Sequence, residues 1–140
     1  MIPFVLMAAV EAPLAMDFGD DTGTYANDSQ CDDRRFVGTG MAASLNDDHI
    51  GHDRNDCQRL FDAGMIAPVD AETGQAATQC AAIDFGDNSS EWSDDGECDD
   101  ARFDGPGTHS IISLKDVRAD ANDCKRQCES GRIWLRSPAD

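Results

Sequence analysis

The sequence predicts an α+β fold made of two tandem small disulfide-linked modules, and three observations lead to it. The chain repeats itself: Asp17–Ile66 lies on Asp84–Ile133 without a gap, offset by 67 residues, with 19 of 50 positions identical. Four of the six cysteines fall on matched positions, Cys31 and Cys57 on Cys98 and Cys124. Each copy carries one short helical pattern and several short apolar runs, interrupted by a long acidic loop. Units this small bury little surface, and with aromatics at 6% and a mean hydropathy of −0.49 burial alone leaves them marginal. Crosslinks, a metal or both are expected to make up the difference.

In chain order, residues 1–15 resemble an export signal: an apolar run from Ile2 to Val10, then small residues that suit cleavage after Ala12 or Ala15. A buried N-terminal strand or helix is the alternative, because the usual basic start is missing. The run is too short to span a bilayer, and no other segment comes close. The first module is expected over 16–69, a linker over 70–79 where Glu72, Thr73 and Gly74 give linker-like chemistry, and the second module over 80–136. Ala15–Gly19 and Ala82–Gly86 read as first strands, Gly40–Leu45 and Ser110–Leu114 as middle strands, and Met65–Val69 and Arg132–Arg136 as closing strands. Between middle and closing strands, DRNDCQRLFDAG and DANDCKRQCESG read as helices, opened by Asp53 or Asp120 at the N-cap and closed by Gly64 or Gly131.

Six cysteines permit fifteen pairings, and the self-alignment selects among them. One bridge per copy gives Cys31–Cys57 and Cys98–Cys124, each contributing on the order of 3 kcal/mol in the chain-entropy model. Cys80 and Cys128 remain. Their counterparts are Pro13 and Phe61, so both cysteines are absent together in the first copy, as expected if they bond to each other. An even, paired count points to an oxidising compartment, periplasmic or secreted.

The formal net charge of −17 argues against nucleic acid or anionic lipid as partner, because no basic stripe can release counterions from phosphate. Cations are the natural ligands. Two acidic clusters recur in each copy: Asp28, Asp32 and Asp33 around the loop cysteine, matched by Asp95, Asp99 and Asp100, and D-x-x-D-C at Asp53 and Asp56, matched by Asp120 and Asp123. The bridges draw the clusters together, and carboxylates held that close take up protons or bind a hard divalent ion. Capping explains Asp53 and Asp120 about as well, and a solvated loop is the alternative for Asp32, Asp33, Asp99 and Asp100. Asp17, Asp20, Asp84 and Asp87 are explained by turn formation.

An EF-hand is ruled out by spacing, since a register opening at Glu91 puts Arg102 where the bidentate glutamate belongs. Zinc is disfavoured because the cysteines are expected to be oxidised and none of His49, His52 and His109 repeats. Calcium, with six to eight oxygen ligands on flexible loops, fits better than magnesium. The pieces DGECDD and DANDC resemble the Notch-type repeat, a small disulfide-knit calcium module, and more loosely the LDL-receptor class A repeat. With DFGD and DDGECDDARF added, both copies resemble a module of exported bacterial proteins. The resemblance implies calcium ligation at Asp95, Asp99, Asp120 and Asp123 and at Asp28, Asp32, Asp53 and Asp56. The chain departs from the Notch pattern in having one or two bridges per unit where that repeat has three. Ser29 also stands in place of the turn glycine Gly96, which makes the first copy the weaker site.

No GxSxG, HExxH or phosphate-cradling glycine loop is present, so no enzyme is expected. The expected function is an exported calcium-binding tandem whose metal is structural and whose exposed Trp92, Arg102, Trp134 and Arg136 meet an extracellular protein or a glycan. The alternatives are a core position for Trp92, an ion pair with a loop acid for Arg102 and a strand position for Trp134. The alternatives for the whole chain are a small secreted hydrolase with a carboxylate pair and a calcium buffer or sensor.

Overall fold

The computed structural model describes residues 16–137, so the expected export signal lies outside the described residues. The fold is α+β, with three α-helices among short strands in the described residues. In the first repeat, β1 (Phe36–Gly38) pairs antiparallel with β3 (Ile66–Pro68), and α1 (Arg54–Asp62) lies between β2 (Ser44–Asn46) and β3. After α2 (Ala71–Ala77), the second repeat supplies β4 (Cys98–Asp100), β5 (Phe103–Asp104), β6 (Thr108–Ser113), α3 (Ala121–Glu129) and β7 (Trp134–Leu135). β5 pairs antiparallel with β7, the counterpart of the β1–β3 pair.

Each repeat keeps its own small core around its own bridge. Phe18, Cys31, Phe36, Cys57, Leu60 and Ile66 fill the first, and Phe85, Cys98, Phe103, Cys124, Cys128, Ile133 and Leu135 the second. The repeated phenylalanines stack in pairs, Phe18 on Phe36 at 5.5 Å and Phe85 on Phe103 at 5.7 Å. Each outer ring also carries a guanidinium over it, Arg35 over Phe36 and Arg102 over Phe103. The glycine of DFGD is a matter of close approach. A Cβ on Gly19 would meet the carbonyl oxygen of Gly51 at 1.9 Å, and one on Gly86 that of Arg118 at 2.0 Å.

The three bridges are Cys31–Cys57, Cys98–Cys124 and Cys80–Cys128, the pairs the self-alignment selects. Three disulfides fit an oxidising compartment, extracellular or periplasmic. No helix among the described residues is long and apolar enough to cross a membrane.

Several expected elements differ. The first strands do not form: Gly19 makes only a single bridge to His52, and residues 80–82 are a short 3-10 turn. Asx turns at Asp17 and Asp84, each accepting from the glycine two residues on at 2.9 Å, bend the chain there instead. The expected linker 70–79 carries helix α2. Asp70 caps α2 by accepting from Thr73 N, and Thr78 at the far end accepts from Leu135 N at 2.9 Å, holding the helix against β7. The middle strands do form, over shifted ranges, and they join the two repeats. β2 pairs antiparallel with β6, which pairs parallel with β4, so one three-stranded sheet spans both repeats.

Buried arginines reinforce that junction. Arg34 reaches from the first repeat to the carbonyls of His109 and Ser110, to Thr108 Oγ1 and to Asp104. Arg136 reaches back to the carbonyls of Arg34 and Phe36. The expected partner-binding face of Trp92, Arg102, Trp134 and Arg136 is therefore not one surface. Arg136 is only 4% exposed, and Arg102 grips Asp100. Trp92, for which a core position was the alternative, is 52% exposed.

Candidate metal centre

Each bridge brings the acidic loop against the first turn of the helix that follows, as the two clusters require. Asp53 and Asp120 stand at the N-cap positions of α1 and α3, yet neither makes a side-chain cap bond. The capping reading is corrected here: the carboxylates turn away from their own helices. Asp53 Oδ2 accepts from Asp32 N at 2.7 Å, and Asp120 Oδ2 from Asp99 N at 2.8 Å. The next acid of the motif holds the loop farther along. Asp56 accepts from the backbone N–H groups of Asp28 and Ser29, and Asp123 from those of Asp95 and Gly96.

What these bonds leave over is informative. Asp53 Oδ1 and Asp32 Oδ2 in the first repeat, and Asp120 Oδ1 and Asp99 Oδ2 in the second, are buried with no hydrogen-bond partner. All four residues are at most 5% exposed. Native proteins seldom leave a buried polar atom unpaired, because desolvation costs about 1–3 kcal/mol and more for a charge. The same two positions are orphaned in both repeats.

Electrostatics point the same way. Burial, followed by the charges of Asp56 and Asp32, pushes the Asp53 carboxyl up to about 8. Burial, followed by the neighbouring carboxylates of Asp123 and Asp99, pushes Asp120 up to about 8. Asp99 is raised to about 6 by burial and the Asp95 charge, and Asp32 is raised by burial and the Asp28 charge. Carboxyls with raised pKa and unpaired oxygens hold protons unless a cation takes their place.

Asp28, Asp53 and Asp56 each offer an oxygen, and these oxygens lie within 4.8 Å of one another, close enough to share one ion. The bridging sulfurs also lie near Asp53 and Asp120, with Cys57 Sγ and Cys124 Sγ each 3.9 Å from the carboxylate. They are disulfide sulfurs, not thiolates, and drop out as ligands. Among the described residues the first repeat thus has an all-oxygen group that can hold a metal ion, whereas the corresponding group of the second repeat is Asp120 with the bridge cysteines Cys98 and Cys124.

Asp33 and Asp100, expected among the ligands, are brought to another task. Asp33 takes Arg35 in a two-pronged bond at 3.0 and 2.7 Å and accepts from Gly51 N. Asp100 takes Arg102 at 3.1 and 2.8 Å and accepts from Arg118 N. These pairs tie the loop to the turn before the helix. The signal for them is the repeated acid–x–Arg–Phe, whose arginine stacks on the core phenylalanine. Ser29, at the position of Gly96, is held at φ 75° where the glycine has 88°, a left-handed conformation that costs a non-glycine residue energy. Of the histidines, His52 Nδ1 lies 2.7 Å from Asp20 Oδ1, and His109 Nδ1 lies 3.7 Å from Asp99 Oδ1 beside the second site.

No protein-family model, curated protein or solved structure matches this chain.

Proposed function

We propose that the chain is an exported tandem module in which each repeat holds one calcium ion for structural purposes. The ligands are drawn from Asp28, Asp32, Asp53 and Asp56 in the first repeat and from Asp95, Asp99, Asp120 and Asp123 in the second. The observation that carries this reading is the set of four buried, unpartnered carboxylate oxygens, at matched positions of both repeats. Buried anionic oxygens, backbone-fixed loops and the absence of thiolate make a hard cation the fitting guest. Among hard cations calcium tolerates irregular loop geometry best. The likeness to Notch-type and exported bacterial repeats is consistent with this, and the three disulfides support an extracellular or periplasmic setting. The ion then stiffens a scaffold that serves binding to an extracellular protein or glycan.

A noncatalytic role is supported by burial: Asp53 and Asp120, the acids with the most raised pKa, are 1% and 0% exposed and out of a substrate's reach. Bridges that preform the site leave little conformational change for a sensor. Isothermal titration with calcium at pH 8 is the test. Two ions per chain are expected, with affinities of about 10⁻⁴ to 10⁻³ M as for extracellular modules. Absence of a calcium response in the oxidised protein would refute the assignment.

A further inference from the structure

The outward face of the β2–β6 ribbon separates two clefts, one per repeat. In the antiparallel register Leu45 faces Ile112, Ser44 faces Ser113 and Asn46 faces Ile111. Leu45 and Ile112 are buried, while Ser44 and Ile111 are exposed on the other side. The cleft in the first repeat, of about 370 Å³, has Tyr25, Asp28 and Asp32 on its wall. The cleft in the second, of about 280 Å³, has Trp92, Asp99 and Asp116. Both share Ser44 and Ile111 as floor. Tyr25 and Trp92 are matched positions, 55% and 52% exposed, while Asp32 and Asp99 are buried within the walls together with their unpartnered oxygens.

We infer that these two clefts form one docking groove for an extended peptide carrying basic side chains, with Tyr25 and Trp92 at its ends and Ile111 at its centre. Charge complementarity argues for this occupant. The chain carries a net charge of −17, the four carboxylates proposed about one divalent ion still leave each wall net negative, and the basic groups on the lining are His49, His109 and Lys115, the last 3.5 Å from Glu91. An exposed ring beside carboxylates is a receptor for ammonium or guanidinium, which gains from the π face and the anion together. Ile111, 38% exposed on the floor, offers an apolar contact between the two basic side chains. The groove rests on the proposed function in one respect: the loops carrying Tyr25 and Trp92 are those the cation would fix.

The experiment uses the full oxidised chain at 0.15 M salt, with and without 5 mM calcium. The probes are Ac-KLKLK-NH2, its acetyl-lysine counterpart and cellotetraose. A Trp134→Phe background leaves Trp92 as the sole tryptophan, and Trp134 Nε1 has no partner to lose. Expected is saturable quenching of Trp92 by the lysine peptide alone, weakened about five- to tenfold by the exposed change Tyr25→Ala. By calorimetry, Trp92→Ala should weaken it by a similar factor. Binding of cellotetraose instead, equal binding of the acetylated peptide, lysine-peptide binding indifferent to both aromatic substitutions, or no binding at all would each overturn the groove. Thermal melting with calcium reads the ion separately. A calcium shift without peptide binding defeats the groove only, and peptide binding without a calcium shift defeats the ion only.

Discussion

Asp120→Asn should have opposite effects with and without calcium. The amide keeps the carbonyl that accepts from Asp99 N, a bond of 2.8 Å in the native protein, and replaces the orphaned oxygen with an uncharged donor among the acceptors of Asp99 and Asp123. In calcium-free protein the native carboxyl titrates at about 8, against 3.8 for the ordinary value. The native state therefore holds a proton that the unfolded chain has released. Stability is fully present below the unfolded value and falls as pH rises through about 8. The variant lacks that loss, so calcium-free Asp120→Asn should melt higher than the native protein at pH 8 and gain least at pH 4. With 10 mM calcium the order reverses. A site with a Kd of about 10⁻⁴ to 10⁻³ M contributes RT ln(1 + [L]/Kd), about 1.4 to 2.7 kcal/mol. At 2–4 °C per kcal/mol the variant forfeits roughly 3–11 °C of the calcium-induced rise. Differential scanning calorimetry at pH 4 and 8, with calcium or chelator, reads all four values. A variant that is less stable than the native protein at pH 8 without calcium, yet keeps the whole calcium shift, would show that no excess of negative charge resides at this position.

Further outcomes follow from single features. Ser29→Gly should stabilise the protein by about 1 kcal/mol by urea denaturation, since the residue sits at φ 75°, while Gly96→Ser should cost about as much. Gly86→Ala should cost more than about 2 kcal/mol, because its Cβ would lie 2.0 Å from the Arg118 oxygen. Replacing Cys80 and Cys128 together by serine should cost about 2–4 kcal/mol while leaving calcium stoichiometry at two, as that bridge lies outside both acidic clusters. Arg34→Ala removes contacts to four residues of the second repeat and should cost on the order of 3 kcal/mol, splitting one thermal transition into two.

Repetition made part of this molecule legible. Two copies in register selected the cysteine partners, the two helices and the meeting of the acidic clusters, because each depends on local pattern plus one crosslink. What depends on destination was harder. Asp53 and Asp120 match a cap by type and place, and only the fold shows their carboxylates turned toward Asp32 N and Asp99 N. Asp33 and Asp100 look like ligands as much as Asp32 and Asp99 do, until Arg35 and Arg102 are seen to take them. Helix α2 was hidden by Thr73-Gly74, weak formers whose helix is held by β7 rather than by propensity. The shared sheet was hidden because its pairing lies between the copies, where self-alignment has nothing to say.

That pairing has its own internal symmetry. The strands of the two repeats run antiparallel about the contact of Leu45 with Ile112, which are the same position in each copy. Such self-complementary contact is the geometry by which two identical chains associate about a dyad. The tandem thus has the geometry of a two-fold pair carried on one chain, and Arg34 and Arg136, where the other copy has Ala101 and Val69, make its halves no longer interchangeable.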